Sequence, residues 1–174
     1  MNDDGSQCDG VMRGVSVRPL TVSDIPVVAG WIAITPLWQR YQFTEAKARS
    51  GLESGLSRAD ILLVSDCDNQ DGRACGLAWC LREGAFGRSA YLRLLGVRAG
   101  YTGLGVGAAL LEQAERAAAK ITRETFLLVS DFNVDAQRFY QRQGYTPIGA
   151  IPGYVLPDVT ELLYWKRLQQ ERPD

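Results

Sequence analysis

The chain has 174 residues, of which 46% are hydrophobic and 22% are charged. This composition is that of one globular domain, because single hydrophobic cores close within about 100 to 200 residues. It excludes a disordered chain and a coiled coil. The 19 Lys and Arg residues nearly balance the 20 Asp and Glu residues, so no net field attracts nucleic acid or an anionic membrane. We therefore expect neither of these partners.

Targeting signals and metal chemistry are also not indicated. No stretch of 18 apolar residues occurs, and the first ten residues lack the positive-then-apolar order of a secretory signal, so we expect a cytoplasmic protein. The cysteines match neither a CxxC pair nor a zinc-ligand set, which predicts reduced structural thiols and no metal; they are Cys8, Cys67, Cys75 and Cys80. The absence of histidine excludes Ser-His-Asp and Cys-His catalysis.

Hydrophobic periodicity predicts the elements of the N-terminal half. Residues 1–14 are small, polar and aperiodic, which indicates a mobile tail. The patterns then predict, in chain order, a strand at 15–18, a helix at 25–34 with Pro26 in its first turn, a loop around Thr35 and Pro36, a polar helix at 44–56, and strands at 61–64, 73–82 and 91–97. Turn-rich segments separate the last three strands, so we expect them to pair antiparallel.

The C-terminal half continues with a strongly amphipathic helix. Its apolar residues recur at helical spacing at Leu110, Leu111, Ala114, Ala117, Ala118 and Ile121. The patterns then predict a strand at 125–130, a helix capped by Asn133 and ended by Gly144, and strands at 145–150 and 161–168. These elements amount to one domain over residues 15–170, with about seven strands and about four helices.

A glycine-rich turn joins the strand at 91–97 to the amphipathic helix. Gly103, Gly105 and Gly107 place backbone N–H groups without Cβ hindrance at a helix N-terminus, which favours a phosphate ligand. Two alternatives remain open. The turn can be a tight connection without a ligand, or a dinucleotide fingerprint, since Gly103, Gly105 and Ala108 fit GxGxxA with Glu124 at the distance of a ribose contact.

Two segments resemble motifs of the GCN5-related N-acetyltransferases (GNAT). Leu94-Leu95-Gly96-Val97 followed by residues 102–111, TGLGVGAALL, is similar to motif A of that superfamily, and the residues that resemble motif B are Asn133, Ala136, Phe139, Tyr140, Gly144 and Tyr145. The resemblance implies a GNAT-like acyl-CoA N-acyltransferase fold of the α/β (α+β) class. That fold has a central mixed, mostly antiparallel sheet of about seven strands flanked by about four helices.

The resemblance also implies the cosubstrate, acetyl-CoA, and the residues that bind it. These are Leu95, Gly96, Val97, Thr102, Gly103, Leu104, Gly105, Val106, Gly107, Ala108 and Asn133. Thr102 stands where the family usually has Arg or Gln, which removes one longer polar side chain. A strand bulge near residues 95–97 is implied, with a backbone N–H for the thioester carbonyl. Tyr140 is implied as the general acid that protonates the departing thiolate.

The acceptor side is less defined by the sequence. The resemblance implies an acceptor pocket built from the first two helices, the strand hairpins and the late strands. Of the aromatic residues there, we expect Trp38, Tyr41 and Trp79 to contact an acceptor amine. Many family members carry a glutamate on the strand before the loop, but this strand has no carboxylate. The base is then Glu83, Asp131 or a water chain, or the amine is already partly neutral and needs no base. We expect acetylation of a primary amine of a small molecule or peptide by direct attack.

Other functions are compatible with the same sequence. One alternative is a non-catalytic acyl-CoA-binding or ligand-sensing module on the same fold. Another is a nicotinamide-dependent oxidoreductase, which depends on the GxGxxA match alone. Since GNAT proteins are often dimers, the aromatic segment 154–165 is a possible homodimer contact.

Overall fold

The structure is a computed structural model that describes residues 14–68 and 72–169. The predicted tail, apart from Gly14, therefore lies outside the described residues, as does Cys8. The described strands are β1 (Val15–Pro19), β2 (Ile61–Cys67), β3 (Gly76–Ala85), β4 (Ser89–Val97), β5 (Glu124–Ser130), β6 (Thr146–Pro152) and β7 (Thr160–Arg167). The described helices are α1 (Ile25–Ile34), α2 (Pro36–Arg40), α3 (Glu45–Ser57), α4 (Val106–Ala119) and α5 (Val134–Arg142).

All seven strands form one sheet in the order β1-β2-β3-β4-β5-β7-β6. Neighbouring strands are antiparallel except β4 and β5, which are parallel. A parallel pair requires a crossover connection, and the glycine-rich turn with α4 supplies it. The predicted mixed, mostly antiparallel sheet is confirmed.

Helices cover the two faces of the sheet. On one face, α1 and α3 pack on each other and on β2 and β3, in a cluster that includes Val28, Leu52 and Trp79. On the other face, α4 crosses β1 to β5 and buries Leu110 and Leu111. The amphipathic pattern of α4 therefore faces the sheet as predicted. The prediction is wrong for Ile121, which follows the end of the helix at Ala119 and is exposed.

The helix α2 corrects the prediction of a loop around Thr35 and Pro36. Thr35 is extended, at φ −77° and ψ 123°, and Pro36 occupies the first helical position. Proline suits that position because its fixed φ matches the helix and its missing N–H would have no intrahelical partner. Five residues are too few to show helical periodicity, so the sequence pattern did not reveal α2.

Strand β6 forms one edge of the sheet and is exposed along its whole length. Among the described strands it pairs with β7 alone, and the register is irregular between Pro147 and Gly149. The strand also ends in Pro152. Ile148, Ile151 and the following Tyr154 are exposed apolar or aromatic side chains at this end of the sheet.

The described cysteines, Cys67, Cys75 and Cys80, are buried and not disulfide-bonded. Across residues 14–68 and 72–169, no helix combines the length and the apolar character that crossing a bilayer requires.

Candidate active site

Strands β4 and β5 separate partway along their length. They pair in parallel from Ala90 to Leu92 of β4, where Leu92 lies opposite Leu127. Beyond that point β4 stays paired with β3 as far as Val97, while β5 stays paired with β7 as far as Ser130. The two strands therefore diverge, and their facing backbone edges border an opening within the sheet.

A β-bulge in β4 lies at the start of this opening. Trp79 and Cys80 are consecutive on β3, but their partners on β4 are two residues apart, so Arg93 is the extra residue. The bulge thus precedes the predicted position at residues 95–97. It brings both Arg93 and Leu94 to the face covered by α1 and α3, where Arg93 stacks on Trp79 and Leu94 packs on the core.

The opening holds a cavity of about 400 Å³. Its walls come from residues 91–95 of β4, residues 128–130 of β5, the segment around α2, and α5. Most of the lining is apolar or aromatic. Among the described residues that line it, Arg93 and Glu161 carry charge.

Glu161 is a buried carboxylate in the cavity wall, with only 4% of its surface exposed. Strand alternation explains its direction, because Leu162 and Tyr164 of β7 pack in the core on the α4 side and Glu161 therefore faces the opposite way. Its Oε1 accepts a 2.6 Å hydrogen bond from the hydroxyl of Tyr41. The Tyr41 oxygen in turn lies 2.5 Å from Oγ of Ser130, which can donate to it.

These contacts fix the ionisation of Tyr41. Burial, followed by the hydrogen bond to Glu161, raises the pKa of Tyr41 to about 12. The phenol therefore stays protonated at neutral pH, and its hydroxyl continues to donate a hydrogen bond to the buried carboxylate of Glu161.

On the other side of the sheet, α5 brings Asn133 and Tyr140 to the cavity. Asn133 caps the helix, since its Oδ1 accepts a 3.3 Å hydrogen bond from the backbone N–H of Ala136. The Tyr140 ring contacts the rings of Phe139 and Tyr145, with centroids 5.2 Å and 5.6 Å away. Burial raises the pKa of Tyr140 above its ordinary value, so its phenol remains a proton donor at neutral pH.

The glycine-rich turn presents backbone N–H groups at the start of α4. Gly103 and Gly105 both have φ +80°, and Gly105 is the N-cap residue. A Cβ at either position would meet no atom within 4 Å, so the backbone conformation, not crowding, requires glycine there. Val106 is buried and anchors the turn. A Cβ on Gly107 would lie 3.7 Å from the Phe139 ring, which places the turn beside α5.

The structure brings some of the predicted site residues to the cavity and leaves others outside it. Those that line it are Trp38, Tyr41, Leu95, Asn133 and Tyr140. Residues 102–108 form the turn and the first helical residues of α4, with Thr102 and Leu104 exposed. Gly96 and Val97 follow the cavity residues on β4, and Gly96 lies directly under the Trp38 indole.

Trp79 is not among the residues that line this cavity. Its side chain is 1% exposed and packs in the core against α3. Its Nε1 donates a 2.9 Å hydrogen bond to Oδ2 of Asp60. The outer side of the ring is covered by Arg93, with the guanidinium carbon 4.4 Å from the ring centroid. Trp79 thus supports Arg93 and does not itself border the cavity.

The carboxylates proposed from the sequence as bases lie elsewhere. Glu83 is exposed on β3, and Asp131 is exposed and accepts a hydrogen bond from the backbone N–H of Thr160. The sequence analysis did not identify Glu161. The one feature that could have indicated it is a carboxylate at the start of an otherwise apolar predicted strand. Among the described residues, no group of three or more His, Cys, Asp and Glu side chains could hold a metal ion.

A sequence model of the "Acetyltransferase (GNAT) family" matches residues 31–145, which is more than half of the chain. The chain belongs to the GNAT acetyltransferase family. The matched segment of this GNAT chain runs from α1 through the glycine-rich turn to the end of α5. Glu161 lies beyond it.

Solved GNAT structures share the fold at low sequence identity. A GNAT-family acetyltransferase from Bacillus cereus is 13% identical, with a TM-score of 0.74 over 90% of this chain and 99% of that one. YncA from Salmonella typhimurium, solved with acetyl-CoA, is 15% identical, with a TM-score of 0.70 over 92% and 98%. The PaiA N-acetyltransferase from Thermoplasma acidophilum, in complex with coenzyme A, is 19% identical, with a TM-score of 0.67 over 88% and 99%.

Proposed function

We propose that this GNAT protein transfers the acetyl group of acetyl-CoA to a primary amine of a small molecule or peptide, by direct attack in a ternary complex. The observation that carries the proposal is the cavity between β4 and β5. It has a protonated phenol on the α5 side and a buried carboxylate on the α2 side, and a glycine-rich helix N-terminus lies beside α5.

The residues present fit acetyl-CoA. The turn at 102–108 offers exposed backbone N–H groups and the positive end of a 14-residue helix, a combination suited to a pyrophosphate. The facing edges of β4 and β5 offer backbone partners to an extended arm that contains amides. In this proposal residues 95–97 and Asn133 contact that arm, while Trp38 and Tyr41 contact the acceptor.

Acetyl-CoA supplies the thioester that the amine attacks. Glu161 accepts a proton from the ammonium form of the acceptor, which frees the nitrogen lone pair. As the new C–N bond forms at the carbonyl carbon, the C–S bond breaks, and Tyr140 donates its hydroxyl proton to the sulfur. The second amine proton and the proton held by Glu161 leave to water, and Tyr140 regains its proton from solvent. One proton is therefore released for each amide formed.

Substitution of Tyr140 by Phe tests the assignment of the acid. We expect kcat for thiol release to fall by about 10² to 10⁴-fold, while acetyl-CoA still raises the melting temperature, since the cosubstrate-binding turn is intact. A ligand at about 100 times its Kd stabilises a protein by about 2.7 kcal/mol, which is measurable by thermal shift.

Tyr145→Phe is the matched control. It removes a buried hydroxyl from the neighbouring ring, outside the residues that line the cavity, and should leave kcat nearly unchanged. Unchanged turnover in Tyr140→Phe would refute the acid role. Binding of acetyl-CoA without acetylation of any amine tested would instead favour the non-catalytic binding module.

A further inference from the structure

Two described residues of the cavity lining carry charges of opposite sign. In the described part of the lining, the acidic residue is Glu161 on β7 and the basic residue is Arg93 in the β4 bulge. They lie on different strands, on the two sides of the opening between β4 and β5. The rest of the described lining is mostly apolar and contains no other ionised group, so each charge acts on a ligand with little competition.

Arg93 is held in place but keeps its hydrogen-bonding capacity. Its guanidinium stacks over the buried ring of Trp79, which orients the group through a cation–π contact. Within residues 14–68 and 72–169, no carboxylate forms an ion pair with it. A stacked arginine without a carboxylate partner presents a planar fork of donors that suits an anionic group.

The surface next to Arg93 carries further positively charged residues. Arg93 and Phe43 also line a second groove, whose other described walls include Lys47 and Arg58 but no Asp or Glu. Lys47 donates to the backbone oxygen of Gln42, and Arg58 pairs with an aspartate at 2.8 Å. Among the described cations of this groove, Arg93 is thus the one without a hydrogen-bond or ion-pair partner, and it lines both the groove and the cavity.

We infer that the acceptor is an amine that also carries an anionic group, as an amino acid does. Its ammonium would lie at Glu161 and its carboxylate, or another oxyanion, at Arg93, with the apolar part of the molecule against the aromatic residues around α2. This inference rests on the proposed function, because it names the acceptor class of the same site. A plain apolar amine would make no use of Arg93.

The test compares acceptors that differ only in the anionic group. The probes are leucine and phenylalanine, the amide of each, and the amine that each yields on decarboxylation. Binding is measured by calorimetry in the presence of coenzyme A, and acetylation by thiol release from acetyl-CoA. We expect kcat/KM and affinity for the amino acids to exceed those for the uncharged counterparts by about 10 to 100-fold, the range of a charge-assisted hydrogen bond.

In Arg93→Gln, the ratio of kcat/KM for the amino acid to kcat/KM for its uncharged counterpart should fall to nearly one. Arg93→Lys should restore part of it, because the charge returns without the fork. Arg49→Gln, which removes a partly exposed arginine of α3 that lines neither the cavity nor the groove, should keep the full preference. Because Arg93 is exposed, its substitution is not expected to unfold the protein.

The outcomes separate this inference from the proposed function. Acetylation of the plain amines as fast as the amino acids, with no change in preference in Arg93→Gln, overturns the inference and leaves the N-acetyltransferase proposal intact. Binding of amino acids that depends on Arg93, without any thiol release, supports the inference and overturns the catalytic proposal. Failure of every probe to bind or react overturns the inference.

Discussion

Substitution of Gly96 by Ala should disturb the contact between β4 and α2. A Cβ at this position would overlap the Trp38 indole and would lie 2.7 Å from its Cζ2. Trp38 cannot retreat freely, since its ring packs at 5.6 Å on Trp31, which is itself buried and hydrogen-bonded to the backbone. Overpacking of this kind costs about 1 to 3 kcal/mol, which corresponds to a decrease in Tm of about 2 to 12 °C for a domain of this size.

Urea unfolding followed by far-ultraviolet circular dichroism measures the loss, and a double-mutant cycle identifies its cause. In a Trp38→Ala background the overlap is absent, so Gly96→Ala should then cost much less, with a coupling free energy of about 1 to 3 kcal/mol. Gly30→Ala is the control, because a Cβ there meets nothing within 4 Å and alanine favours the helix. An equal cost of Gly96→Ala in both backgrounds would refute the reasoning.

Three further predictions concern the turn, the base and acid stability. Gly105→Ala, at φ +80°, should weaken acetyl-CoA binding in a titration, whereas Gly87→Ala in the β3–β4 turn, at φ +66°, should be equally strained without affecting binding. Glu161→Gln should lower kcat/KM most near pH 7. In a pH–rate profile, the difference in kcat/KM between variant and wild type should decrease at higher pH, where the acceptor amine is already deprotonated. Arg18 holds the pKa of buried Asp24 well below its usual range, so the stability that Asp24 contributes is present above about pH 4 and lost as the pH falls further. Asp24→Asn should therefore lower Tm at pH 6 and converge on the wild type in acid.

The elements of the fold follow largely from local sequence patterns. Alternation and short apolar runs predicted the strands, and the apolar stripe of α4 predicted its buried face, because these patterns reflect the residue spacing of a single element. The helix α2 escaped prediction because it is shorter than two helical turns. The point where β4 leaves β5 depends on contacts between distant segments, which no local pattern records.

The site divides in the same way. The turn at 102–108, Asn133 and Tyr140 lie in contiguous motifs and were predicted from them, although their roles remain proposals. Glu161 and Arg93 were missed, because each lines the cavity only if its side chain lies on the face of the sheet that α2 covers. Arg93 faces α1 and α3 because it is the extra residue of the bulge in β4. The bulge exists only in the pairing of β4 with β3, so the sequence of β4 alone does not reveal it.

The exposed strand β6 has a consequence for how the protein can associate with copies of itself. An unpaired sheet edge is a template for intermolecular strand addition. Here Pro147 and Pro152 lack backbone donors, and the irregularity after Pro147 interrupts the ladder. The sheet therefore cannot readily grow past β6 into a continuous intermolecular sheet. Contacts between molecules at this end, where Ile148 and Tyr154 are exposed, would have to form through side chains, which permits a closed pair of molecules but disfavours a fibre.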